Sequence, residues 1–120
     1  MIEDYVFGKI TINGKDYHND VEVDWEGTVL NWKREESHII DIADLKRAME
    51  KNPETIVIGT GESGVAKITK EAEIFIQESG AMLIIDKTEE AIKTFNILKE
   101  DSLEEEGRQN RVVGLFHLTC

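Results

Sequence analysis

From Asp16 to Glu26 the chain alternates. Tyr17, Val21, Val23 and Trp25 point one way, and Asp16, His18, Asp20, Glu22, Asp24 and Glu26 point the other. A period of two predicts a strand buried on one face, with a solvated acidic face opposite. Just before it, Asn13-Gly14 is a two-residue hairpin signal. Using it as the turn pairs Ile12 with Lys15, Ile10 with Tyr17 and Val6 with Val21, and sets Lys9 across from His18 on the other face. A second reversal at Glu26-Gly27 would pair Val23 with Leu30 and Val21 with Trp32. Residues 5 to about 33 are therefore expected to form a three-stranded antiparallel meander.

The pattern then changes period. Asp41 can cap a helix running through about Lys51, with Ile42, Leu45, Ala48 and Met49 as its inward stripe and Asn52-Pro53 as its stop. Thr55 to Ile58 is short, β-branched and apolar on both faces, which predicts a strand covered on both sides. A helix ending near Ser79-Gly80 leads to a second buried strand, Ala81 to Ile85. Thr88 can cap a third helix with Ala91, Ile92, Phe95 and Leu98 at helical spacing, and Val112 to Leu118 reads as a last strand. A strand-helix-strand crossover is almost always right-handed and parallel, so the strands at 55–58 and 81–85 should share a sheet. The expected fold is a single three-layer α/β domain over residues 1–120, with a central mixed sheet flanked by helices and preceded by the meander. Too few strands remain for a doubly wound fold.

Composition narrows the partners. Fourteen Lys+Arg against twenty-five Asp+Glu leave a net charge of −11, which repels a phosphate backbone and argues against nucleic acid. No apolar run is long enough to span a membrane, and "MIEDYVFGKI" carries no secretory pattern, so membrane insertion is not expected. The one cysteine, Cys120, has no intramolecular partner, and a reducing, cytoplasmic setting is the simplest expectation. The acidic run from Glu100 to Glu106 reads as a solvated helix end and loop.

Several stretches taken together carry a resemblance. They are "FGKITINGKDY", "NWKREESH", "VIGTGESGVAKI", "TEEAIKTFNIL", then a Gly-Arg and "VVGLFHLTC". In this order the chain resembles the small domain-of-unknown-function family that includes the human adipogenesis-associated domain protein and mitochondrial complex I assembly factor three. The resemblance implies a compact α/β domain with a central mixed sheet, found alone as a small intracellular protein, here a free-standing archaeal one. It implies no known catalytic activity, and some relatives work through protein partners as assembly factors. The stretch "KEDSLEEEGRQN" is longer than the family needs and sets that edge apart.

The candidate chemistry centres on "IGTGESG", Ile58 to Gly64, which spells G-x-G-x-x-G after an apolar strand, with Asp86 ending the next apolar run. Glycines let backbone N–H groups approach an anion, and Thr60 and Ser63 add hydroxyls. A dinucleotide site needs the third glycine to open a helix, and here two readings compete. Val65, Ile68, Ala72, Phe75 and Ile76 fit a helix beginning at once, whereas Thr69 reads as a cap that delays it and leaves 65–68 extended. The resemblance favours the delay, and the plainer reading of the loop is a purely structural tight turn, with a small anion or polar ligand as the alternative. Candidate ligand-binding residues are therefore Gly59, Thr60, Gly61, Ser63 and Gly64 on one wall and Lys33, Arg34 and His38 on the other. The plainer reading of Lys33 and Arg34 is a surface pair balancing Glu35 and Glu36.

Other constellations carry less. His117 and Cys120 invite a Cys-His nucleophile, but residues three apart on a strand face oppositely, so His117 is read as a sheet-end packing or hydrogen-bonding residue. The acidic strand face spaces its side chains about 6.5–7 Å apart, too wide for one calcium shell. One cysteine and three scattered histidines make no zinc motif. No catalytic residue, metal or cofactor is assigned. The expectation is a non-enzymatic domain that binds a protein partner or a second copy, with a small-molecule or anion pocket at the glycine loop as the alternative.

Overall fold

A computed structural model describes residues 1–104 and 110–120, with 101–104 described as backbone. The chain opens on three antiparallel strands, β1 (Ile2–Val6), β2 (Lys9–Ile12) and β3 (Lys15–Tyr17). Asn13 and Gly14 both take positive φ, 49° and 81°, which is the backbone a two-residue hairpin needs. Ile12 faces Lys15 and Ile10 faces Tyr17, as the turn demands.

The rest follows in chain order as β4 (Val21–Val23), β5 (Val29–Asn31), β6 (Ile39–Ile40), α1 (Ile42–Met49) and β7 (Thr55–Thr60). Then come β8 (Lys67–Ile68), α2 (Lys70–Glu78), β9 (Met82–Asp86), α3 (Thr88–Glu104) and β10 (Val112–His117). Five strands form the central mixed sheet in the order β5-β4-β10-β7-β9. β7 is parallel to both β9 and β10, while β4 runs antiparallel to β10 and to β5. β6 and β8 form a short parallel ladder apart from it.

Two cores sit on the two faces of this sheet. On one, Val21, Val23, Val57, Val112 and Phe116 meet Ala91, Ile92 and Phe95 of α3 and Ile2, Ile10 and Ile12 of the meander. On the other, Ile56, Ile58, Val113 and Leu115 meet Leu45 and Ala48 of α1, Ala72 and Ile76 of α2, Trp32 and Ile40. With both faces covered, all six residues of β10 are buried. The layers agree with the expected α/β architecture.

The helix starts follow local chemistry. Asp41 caps α1 in a reciprocal box with Asp44, and Thr69 caps α2 by accepting from the Ala72 N–H at 3.1 Å. The helix is therefore delayed past the glycine loop, because Lys67 and Ile68 pair with Ile39 and Ile40. Thr88 begins α3, but its hydroxyl accepts from Gly61 N–H at 2.9 Å and donates to the His117 carbonyl, so it ties down the glycine loop.

Four expectations are corrected. The meander closes within residues 2–17: Gly8, at φ 81°, turns β1 back onto β2, so Val6 faces Lys9 and Lys9 is not set across from His18. Val21 and Val23 belong instead to the central sheet. There Val23 faces Val29 and Val21 faces Asn31, one residue out of the expected register, because the Asp24 carboxylate accepts from both Glu26 and Thr28 N–H groups and widens the turn. The acidic face is solvated only at its ends: Asp16, His18 and Glu26 are exposed, but Glu22 is 1 % exposed and Asp24 is buried, since α1 covers that side of β4. Finally, β9 is an edge strand, with Met82 62 % and Ile85 40 % exposed. Of the acidic run, residues through Glu104 continue α3; Glu105 and Glu106, with residues 107–109 of "KEDSLEEEGRQN", lie outside the described residues.

Candidate functional site

The chemistry of this chain gathers at the carboxyl ends of β7 and β10, where open α/β sheets place their ligands. His117 is the last residue of β10, and its register neighbour on β7 is Thr60. β4 runs antiparallel beside β10, so Asp20, just before β4, arrives next to His117 from 97 residues away. Chain reversal thus joins residues that no motif connects.

Asp20 is the hub. Its Oδ2 lies 2.7 Å from His117 Nδ1 and 2.8 Å from Arg34 Nη1. Its Oδ1 accepts from Leu118 N–H at 2.8 Å, and its carbonyl accepts from Trp32 N–H at 2.8 Å. A proton on His117 Nδ1, donated to Asp20, accounts for the short distance between them. Arg34 Nη2 stands 3.0 Å from the same nitrogen and donates to the Ser37 carbonyl at 2.8 Å. The guanidinium also stacks on the Trp32 ring, 4.4 Å from its centroid. The Arg34 side chain is only 3 % exposed. It is a buried ionic strut, which overturns the reading as a surface pair with Glu35 and Glu36.

Burial pushes the Asp20 carboxyl up, but the His117 hydrogen bond, the Leu118 N–H and the charges of His117 and Arg34 outweigh it. The net effect holds Asp20 below the usual carboxylate range. Two buried nitrogens of the cluster, His117 Nε2 and Arg34 Nε, have no hydrogen-bond partner among the described residues. The His38 ring stands edge-on to His117 at 6.2 Å. A cleft of about 330 Å³ borders the cluster, lined by His18, Asn19, Asp20, Asn31, Trp32, Lys33, Leu118 and Thr119.

Of the residues expected to form two walls, Arg34, His38 and Thr60 meet around His117. Lys67 N–H donates to the His38 carbonyl at 2.9 Å, and Thr60 flanks His117 in the sheet. The glycine loop, however, is packed by its own protein. Gly61 N–H is held by Thr88, Glu62 N–H donates to the Thr119 carbonyl at 2.8 Å, and Gly64 N–H donates to Gly61 at 3.4 Å. A Cβ on Gly61 would lie 2.7 Å from the Cys120 backbone, and one on Gly59 would lie 2.8 Å from the Thr88 hydroxyl. Thr60 hydroxyl donates to the Asp86 carbonyl at 3.1 Å, while Ser63 is exposed. Gly64, at φ 71°, rests near the Lys87 stem. Gly61 thus serves close approach of the carboxy-terminal residues and Gly59 that of Thr88.

Sequence reasoning missed Asp20 and undervalued His117. The available signal was Arg34, a cation beside Trp32 in an acidic chain, which requires a carboxylate if buried. A second polar cluster braces α1: Glu22 lies 3.0 Å from both Arg47 Nε and Lys51 Nζ, and Lys51 also meets Asp24 at 3.3 Å.

The other feature open to a partner is the outer edge of β9. Met82 N–H donates inward to the Glu54 carbonyl at 2.9 Å. By strand alternation the backbone groups of Leu83 and Ile85 face away from β7, and no described strand pairs with them.

Comparison places the fold among solved structures. A conserved hypothetical protein, PH1505 from Pyrococcus horikoshii OT3, superposes with a TM-score of 0.82 at 24% identity over 100% of this chain and 99% of its own. A protein named MT938 matches at 28% identity and a TM-score of 0.78, over 100% of this chain and 98% of that one. A protein described as an outer membrane protein from Bartonella henselae has a TM-score of 0.79 at 17% identity, over 99% and 94% of the two chains. Among the described residues of this chain, no helix is long and apolar enough to cross a membrane. A family model described as protein of unknown function (DUF498/DUF598) matches residues 2–117, and the chain belongs to that family.

Proposed function

We propose that this chain is a non-enzymatic, partner-binding domain of the cytoplasm, acting in the manner of an assembly factor. The observation that carries the reading is the outer edge of β9, a five-residue strand, apolar from Met82 to Ile85, with no described strand paired to one side and with Met82 and Ile85 exposed. Natural sheets usually blunt such an edge, and an edge left open is a surface for another chain. The resemblance to assembly factors points the same way. The test is the size of the native species: in an extract of its own cells, the tagged chain should elute well above its 13.7 kDa mass and cross-link through β9. Elution as the free chain at all salt concentrations would sink the reading.

A second reading has its own observation. His117 Nε2 and Arg34 Nε are buried donor or acceptor sites without a hydrogen-bond partner among the described residues, beside a cleft carrying Lys33. A small oxyanion or carboxylate ligand, held there by Lys33 with Arg34 and His38 beside it, would give the Arg34 Nε–H an acceptor. Phosphate, dicarboxylates and nucleotides screened by thermal shift should then stabilise the chain, and Lys33→Ala should weaken the effect. No shift with any of them would rule against this ligand class.

A further inference from the structure

We infer that the edge of β9 receives an extended apolar peptide segment flanked at both ends by Lys or Arg, added as a sixth strand of the central sheet. The inference rests on the partner-binding reading above and names the chemistry of the partner. Met82 is bonded inward to Glu54, so Leu83 and Ile85 present two N–H donors and two carbonyl acceptors outward. Pairing with β7 runs without a bulge from Met82 opposite Thr55 to Asp86 opposite Gly59, and the strand holds neither proline nor lysine. From Met82 to Ile85 the strand carries none of the usual devices that blunt an edge. The opposite edge differs: β5 is three residues long, and Arg47 donates to the Asn31 carbonyl at its end.

Side chains and charge decide the occupant. Met82 and Ile85 project from opposite faces of the sheet, so alternate apolar side chains of an incoming strand meet an apolar neighbour on each face. Glu78, at the end of α2, stands before the strand and Asp86 closes it, an acid at each end. A second copy would bring like charge to like in a chain already at −11. Basic flanks on the partner complement both ends of the groove.

The experiment uses the full chain, labelled for amide detection, with a peptide of five alternating Val and Thr residues between Lys-Lys pairs. Amide exchange of Leu83 and Ile85 should slow by about tenfold or more on binding, as hydrogen-bonded strand amides do. A peptide with Glu-Glu flanks should bind at least about tenfold more weakly, with the difference shrinking in 1 M salt. Ile85→Pro, which removes an outward amide, should abolish binding while the melting temperature stays near wild type; if that variant does not fold, Ile85→Lys is the substitute. Protection appearing elsewhere, or equal affinity for Glu-flanked peptide, would overturn the inference. Concentration-dependent protection without peptide would overturn it in favour of a second copy. Where the native complex persists in the Ile85→Pro or Ile85→Lys chain, this inference falls and the partner-binding reading stands; absence of any native complex removes the reading itself.

Discussion

At the scale of single residues, Asp20 holds together segments that are far apart in sequence. It bonds to His117, Leu118, Trp32 and Arg34, and Arg34 is nearly inaccessible to water. Asp20→Asn keeps the shape and removes the charge, so Arg34 is left as an uncompensated buried cation. A loss of about 3 kcal/mol in urea denaturation at neutral pH is expected. The pH dependence has a definite sign. Because the folded-state carboxyl is held below its unfolded value, its contribution is fully present above about pH 4 and is lost as pH falls through the folded value. Wild-type stability should therefore drop more steeply than that of Asp20→Asn below about pH 4. Tyr5 behaves oppositely. Burial, then the charges of Glu62, Glu89 and Asp20, raise its phenol to about 12, and its hydroxyl donates to the Leu118 carbonyl at 3.1 Å. Its contribution to stability is complete below about pH 10 and lost as pH rises through about 12. In Tyr17→Phe, where Tyr5 is the one remaining tyrosine, phenolate absorbance should show a midpoint near 12 when folded and near 10 in urea.

At the scale of elements, the glycine loop shows how local and distant causes divide. Gly80 and Gly61 both have positive φ, 87° and 103°, but a Cβ on Gly80 meets open space and one on Gly61 meets the Cys120 backbone at 2.7 Å. Gly80→Ala should cost about 1 kcal/mol from backbone strain alone. Gly61→Ala should cost about 3 kcal/mol, since two backbone segments must also separate. In a chain lacking Thr119 and Cys120 the two substitutions should cost the same; a persisting difference would mean that the crowding lies elsewhere. The same division explains what could be read in advance. Asn13-Gly14, Asp41 and Thr69 act within a few residues, so their hairpin and caps were legible. The register of β5 was not, because a side chain of the turn, Asp24, chooses it. Nor was the burial of Glu22, since α1 supplies Arg47 and Lys51 only after folding over β4. The Asp20-His117 contact depends on β10, last in sequence, inserting between β4 and β7. The alternation near Asp20 was real, but the layer that covers its polar face comes from elsewhere in the chain.

At the scale of the whole molecule, an open apolar edge and a large negative charge oppose one another. β9 on its own would invite pairing with further copies, because Met82 to Ile85 are apolar and uninterrupted. The charge of −11 at neutral pH supplies a repulsion that acts between any two copies, whichever faces approach. That repulsion weakens with salt and vanishes near the isoelectric point of about 4.7, while the edge stays as it is. At pH 4.7 the Asp20 cluster is still intact, since its loss begins only at lower pH, so association there starts from folded chains. Light scattering at pH 4.7, or at pH 7 in 1 M salt, should therefore show self-association of wild type that Ile85→Pro reduces severalfold. The substitution changes no charge, so it leaves the electrostatic balance untouched and removes only an outward amide of the edge. Equal scattering from the two chains would locate the sticky surface away from β9, and would turn attention to Phe7 and Val6 at the β1–β2 turn, the next exposed apolar pair.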